Sequence, residues 1–142
     1  MVHTVIGGEP HKLDRPLGIE VVTASKTLTL EDNGIMHHIG TDALVMSLPP
    51  VGELTAPAGT YFGFRNVGAD GNNIITISPA AADAIFGTIA NAAADSVASG
   101  VDDKDFVNTK VTANKGDLVW LVSDGVTGYY VEYGVGIWAS EA

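Results

Sequence analysis

The residues of this chain best suited to chemistry are four histidines, His3, His11, His37 and His38, and an acidic run at Asp102, Asp103 and Asp105. Imidazole is the commonest protein metal ligand and a general base near neutral pH. Chelation from one strand needs ligands on one face, and adjacent residues of an extended strand point to opposite faces. His37 and His38 are therefore expected to act apart. No His-x-His or His-x3-His pair occurs either, so no metal site is expected. The acidic run lacks the Asp-x-Asp-x-Asp-Gly spacing and closing Glu of a calcium loop, and is expected to be a solvated turn. There is no Gly-x-Gly-x-x-Gly opening a helix, no Gly-Lys-Ser/Thr, and no Gly-x-Ser-x-Gly elbow around any serine. A carboxylate pair for glycoside hydrolysis depends on spatial spacing and stays open at this level. Neither an enzyme nor a cofactor is expected.

Composition narrows the classes further. A chain of 142 residues, 46% of them hydrophobic, can build one ordinary core. With no Cys, disulfide frameworks and thiolate metal sites are excluded. The formal charge is −10, and no basic residue lies between Arg65 and Lys104 or after Lys115. Nucleic acids and anionic membranes select clustered Lys and Arg, so neither is an expected partner. The N-terminus has no signal-peptide pattern, and no apolar run approaches the roughly 20 residues of a membrane span.

The elements that must position these residues read as strands. Gly18–Ala24 is a plausible first strand, and Lys26–Leu30 alternates with Leu28 and Leu30 on one face. Ile35–Ile39, Ala43–Leu48, Thr60–Val67 and Ile74–Ser78 follow, with Phe62 and Phe64 expected to point to the core. Residues 79–100 contain nine Ala and Ile85–Ile89 at i,i+4, which favour helix, but Gly87 and Asn91 oppose a long one. An irregular excursion with at most a short helical turn is expected there. Phe106–Thr112 reads as a strand leading into a hairpin. In that hairpin Leu118–Val122 is apolar on both alternations, as in a central strand covered on both faces. Its return strand places Tyr129, Val131 and Tyr133 on one face and Tyr130 and Glu132 on the other. The expected fold is all-β: a single-domain β-sandwich or barrel-like body over residues 18–142, preceded by an extended N-terminal arm over residues 1–17.

Several patches, in order, resemble a family of tailed-bacteriophage virion proteins: Lys26–Gly34, Ser47-Leu48-Pro49-Pro50, Ala58–Phe64, Ile75–Pro79, Asp83–Gly87, and Lys115-Gly116-Asp117 through Tyr130-Val131 to Gly136–Ala139. The resemblance implies a structural role, a decoration (cement) protein bound as a trimer to the outer surface of a phage head. Its partners would be copies of itself and the major capsid protein, and its location the virion. Val5, Ile6, Leu13 and Leu17 have no pattern that buries them within the arm and are expected at a partner interface. Tyr129 and Trp138 are expected in the core or at the interface between subunits. The alternative is a carbohydrate-binding module on a fibre or tail, stacking sugars on Tyr129, Tyr130, Tyr133 and Trp138.

Overall fold

The computed structural model describes residues 17–141, which form thirteen β-strands and, among the described residues, no α-helix. Through the first half the chain passes back and forth between two packed sheets. Strands β1 (Gly18–Val22), β3 (Ile35–Ile39) and β5 (Tyr61–Asn66) run parallel in one sheet. Strands β2 (Lys26–Thr27), β4 (Leu44–Ser47) and β6 (Ile75–Ser78) run parallel in the other. Parallel neighbours need a long connection; here the connection is a strand of the opposite sheet. After β6 come β7 (Ala84–Phe86) at the far edge of the first sheet and a small ribbon of β8 (Thr88–Ile89) with β9 (Ser96–Val97). The pattern then turns antiparallel: β10 (Phe106–Asn108) on β6, β11 (Leu118–Ser123) on β5, β12 (Gly128–Val135) on β11, and β13 (Trp138–Ser140) on β10. The sheets read β1-β3-β5-β11-β12-β7 and β13-β10-β6-β4-β2.

The inner faces make the core. Phe62, Phe64, Val119, Leu121 and Tyr129 of the six-stranded sheet meet Met46, Ile75, Ile77, Phe106 and Trp138 of the five-stranded one, all at most 2% exposed. Phe62 and Phe64 point inward as their alternation requires, and β11 is central and covered on both faces. A buried polar bridge crosses between the sheets. Asn66 Nδ2 on β5 donates to Asn108 Oδ1 on β10 (2.9 Å), and Asn108 Nδ2 donates to Asp117 Oδ2 (3.1 Å) and to Ile137 O (3.1 Å). Asp117 Oδ2 also accepts from Asn114 N, and Asn66 Oδ1 accepts from Gly68 N. Buried amides and carboxylates are tolerated when they satisfy one another in this way.

Local chemistry overrides simple alternation in four places. The strand from Lys26 stops at Thr27, because Thr29 and Asp32 form a capping box: Thr29 Oγ1 accepts from Glu31 N, and Asp32 Oδ2 accepts from Thr29 N. That box winds Leu30–Asp32 into a 3-10 turn, so Leu28 is buried while Leu30 is exposed. The strand from Phe106 ends at Asn108, and Lys110–Thr112 is a second 3-10 turn. Residues 79–100 hold short strands and no helix; an i,i+4 pair also suits a period of two, and both Ile85 and Ile89 are buried. In β12 the register shifts opposite Trp120/Leu121, leaving Glu132 as an extra residue. This bulge moves Tyr133 to the face of Tyr130, away from Tyr129 and Val131.

Candidate interaction face and buried polar cluster

Cross-strand register defines the outer face of the six-stranded sheet. It carries Ile19 and Val21 of β1, Met36 and His38 of β3, Tyr61, Gly63 and Arg65 of β5, Leu118, Trp120 and Val122 of β11, Tyr130, Tyr133 and Val135 of β12, and Phe86 of β7. At its centre Trp120 lies over Gly63, where a Cβ would sit 2.8 Å from the indole ring. Met36 and Tyr61 flank the ring, and all three are buried. Around them the rim is apolar yet open: Ile19 is 57% exposed, Val21 72% and Tyr133 51%. The outer face of the five-stranded sheet is different, carrying Thr27, Val45, Ser47, Thr76, Ser78, Val107 and Ala139 in register. One sheet presents small and hydroxylated side chains to solvent, and the other presents aromatic and branched ones. His38 and Arg65 are the polar exceptions on the apolar face. Burial, then the Arg65 charge, holds the His38 imidazole below the ordinary range, and Arg65 Nη1 meets His38 Nε2 at 3.0 Å.

The expected contact residues divide. Val5, Ile6 and Leu13 lie outside the described residues. Leu17 is exposed at 54%; its N–H donates to Gly34 O (2.8 Å) and its side chain lies against Gly34. Tyr129 and Trp138 are corrected as interface residues: both are in the subunit core, at 0% and 2% exposure. Tyr129 Oη donates to Pro49 O (2.6 Å), and Trp138 stacks on Phe106 with Nε1 donating to Val135 O. Burial, then the Asp83 charge, pushes the Tyr129 hydroxyl far above its ordinary range. A four-ring sugar platform is thereby reduced to Tyr130 and Tyr133, with Phe86 stacked on Tyr130 at 4.9 Å. An open groove of about 330 Å³ between Leu28, Leu30, Pro49 and Leu54 has no aromatic lining.

A second constellation sits between the sheets, at the end where β1 and β2 form their edges. Glu20 on β1 is in register with His37 on β3, Lys26 comes from β2, and Asp32 from the capped 3-10 turn. Lys26 Nζ is 2.7 Å from Glu20 Oε2 and 2.7 Å from Asp32 Oδ1. His37 is fully buried and stacks on Phe64, and its Nδ1 lies 2.9 Å from Gly63 O. A carbonyl only accepts, so Nδ1 carries a proton, and Nε2 offers a lone pair in the neutral ring. That Nε2 has no hydrogen-bond partner and lies 3.6 Å from Asp32 Oδ1. Burial opposes ionisation of both Lys26 and Asp32. It is outweighed by their mutual hydrogen bond, helped by Glu20 for Lys26 and by the Thr29 N–H for Asp32, so Lys26 titrates above and Asp32 below the ordinary value.

His37 and His38 point apart as expected, but spacing along one strand does not show that His37 meets acids from other segments. Glu20, Asp32 and His37 each offer one ligand atom, all within 4.8 Å of one another. The only local sequence clue is the Thr29-x-x-Asp32 box, which fixes Asp32 but says nothing of its neighbours. A scan against protein-family models matches none, and a search of curated proteins returns no significant relative.

Proposed function

We propose that this chain is a structural protein of a tailed-phage virion, coating the outside of the head as a homotrimer whose subunits associate through the outer face of the six-stranded sheet. The observation that supports this most is the contrast between the two outer faces, since a passive binder needs an apolar, complementary surface and no reactive centre. Ile19, Val21, Tyr133 and Val135 form an exposed apolar surround to Trp120, which is already buried within the subunit, and that surround is the surface a partner would cover. A head protein of this kind stabilises the shell by binding the assembled state and not free capsid subunits. The resemblance over residues 26–139 points the same way.

Val21→Lys tests the association face. Val21 is 72% exposed, so the substitution leaves the subunit core untouched. Wild-type protein should sediment as a trimer and co-purify with intact capsids in many copies. The variant should keep the wild-type circular dichroism and melting profile but dissociate, since it puts an ammonium on the apolar contact surface, where association would desolvate it without a partner. Wild-type monomer at high micromolar concentration, with no multimer on capsids, refutes the reading. The half-exposed Tyr130 and Tyr133 beside Phe86 support the competing one, a fibre- or tail-borne carbohydrate-binding module. Glycan-array binding abolished by Tyr133→Ala in a protein that ignores capsids would establish that alternative.

A further inference from the structure

We propose that Glu20, Asp32 and His37 form a divalent-cation site of the zinc type, whose cation in the metal-free protein is the Lys26 ammonium. The site is independent of the association face: His37 and Glu20 point to the inner side of the sheet, and His38 and Val21 to the outer.

Three observations carry it. First, His37 Nε2 is a fully buried ring nitrogen with no hydrogen-bond partner. Such atoms are rare in folded proteins because desolvation without a hydrogen bond is costly. Its ring is fixed by Nδ1–H donating to Gly63 O, the arrangement that orients a metal-ligating imidazole. Second, the 3.6 Å between Nε2 and Asp32 Oδ1 is too long for a hydrogen bond. It is close to the roughly 3.4 Å that separates two ligands of a tetrahedral ion with bonds of about 2.0–2.1 Å. Asp32 is itself held by its Thr29 N–H bond, so two ligands are already in place. Third, the carboxylates already bind a cation, with the Lys26 ammonium 2.7 Å from each.

Exchange is sterically simple. The Lys26 side chain is 28% exposed and that of Glu20 42%, so the ammonium can swing out on its four-carbon stem while Glu20 closes on the ion. The ligand atoms, all within 4.8 Å of one another, must close by up to about 1.4 Å, which the partly exposed Glu20 can supply. Lys26 leaves as the ammonium, and the dication neutralises both carboxylates. One imidazole nitrogen and two carboxylate oxygens suit Zn²⁺ or Co²⁺ better than Ca²⁺ or Mg²⁺, which prefer all-oxygen shells. Water completes the fourth position.

The test uses the full chain carrying His3→Gln and His11→Gln, which removes the other candidate imidazoles outside the described residues. After treatment with a chelator, calorimetry with Zn²⁺ and the visible absorption of Co²⁺ should each report one equivalent per chain. The cobalt spectrum should have the intensity of a tetrahedral site, and the melting temperature should rise with Zn²⁺. His37→Gln should weaken binding by at least about tenfold. Glu20→Gln, at the open side of the cluster, should also weaken it, and carries the test if the His37 variant folds poorly. Lys26→Met should tighten binding, because the competing ammonium is gone. Absence of a bound equivalent, a bound equivalent indifferent to both His37→Gln and Glu20→Gln, or weaker binding in Lys26→Met overturns the proposal.

Discussion

The loop joining β11 to β12 is held by one carboxylate, and removing it should have a pH signature as well as a cost. Asp124 Oδ1 accepts from the N–H groups of Val126 (2.8 Å), Thr127 (2.7 Å) and Gly128 (3.1 Å), and Oδ2 accepts from the Thr127 hydroxyl. Partial burial works to raise its pKa, but these donors outweigh it and hold the carboxyl down to about 2, against an ordinary 3.8. That gap is worth at most about 2.5 kcal/mol at neutral pH, and solvent screening at this partly exposed loop reduces it to about 1–1.5 kcal/mol. Asp124→Ala should lose about that much in urea unfolding at pH 7. The sign follows from linkage. A carboxylate with a depressed folded pKa contributes fully above its unfolded value, near pH 4, and the contribution disappears as pH falls through about 2. The stability gap between wild type and Asp124→Ala should therefore be constant from pH 7 to about pH 5 and narrow steadily below pH 4. Asp124→Asn, which keeps an acceptor but no charge, should lose less and show a similar narrowing. A gap of equal size at pH 2.5 and pH 7, or none at pH 7, would refute the account.

Two further outcomes follow from neighbouring features. Asp83 is buried, and burial first, then the charges of Asp102 and Asp124, raises its carboxyl above the ordinary value while Oδ2 accepts from Val51 N. Ionisation is thus a cost in the folded state, so Asp83→Asn should raise the melting temperature at pH 7 and lose that advantage as pH falls through the raised folded value towards the ordinary carboxylate range. Gly63→Ala should destabilise by about 1–3 kcal/mol in chemical denaturation, because the new methyl meets the Trp120 ring at 2.8–2.9 Å.

What the sequence made legible was local. Ile75–Ser78, Tyr61–Asn66 and Leu118–Ser123 show their strands through composition and alternation, and apolar residues on both alternations of Leu118–Val122 announce that the outer face of this sheet is not a polar one. Parallel winding is not legible in the same way, because alternation has a period of two in parallel and antiparallel strands alike. The bulge at Glu132 is equally hidden: it depends on pairing with Trp120 and Leu121, and one extra residue reverses the face of Tyr133. Tyr129 and Trp138 illustrate another gap, since an aromatic residue in a strand suits a core and an interface equally until the opposing sheet is known. The polar cluster was least accessible. Glu20 and His37 are neighbours only through the β1–β3 register, and Lys26 reaches them from the opposite sheet.

The back-and-forth course of the first six strands makes a short stack, and a stack can grow. Its later layers are closed by the antiparallel strands β11 and β10, but its first layer, β1 with β2, ends both sheets. A flat apolar end of that kind is a template on which another chain can add its own strands. Here the inward positions of the terminal layer include Glu20 and Lys26 beside Val22, and β2 is only two residues long. A strand added at that end would bury an ion pair that now reaches solvent, which is costly. Glu20 and Lys26 thus also oppose strand addition at this end of the stack, a second consequence of the pair that borders the cation cluster.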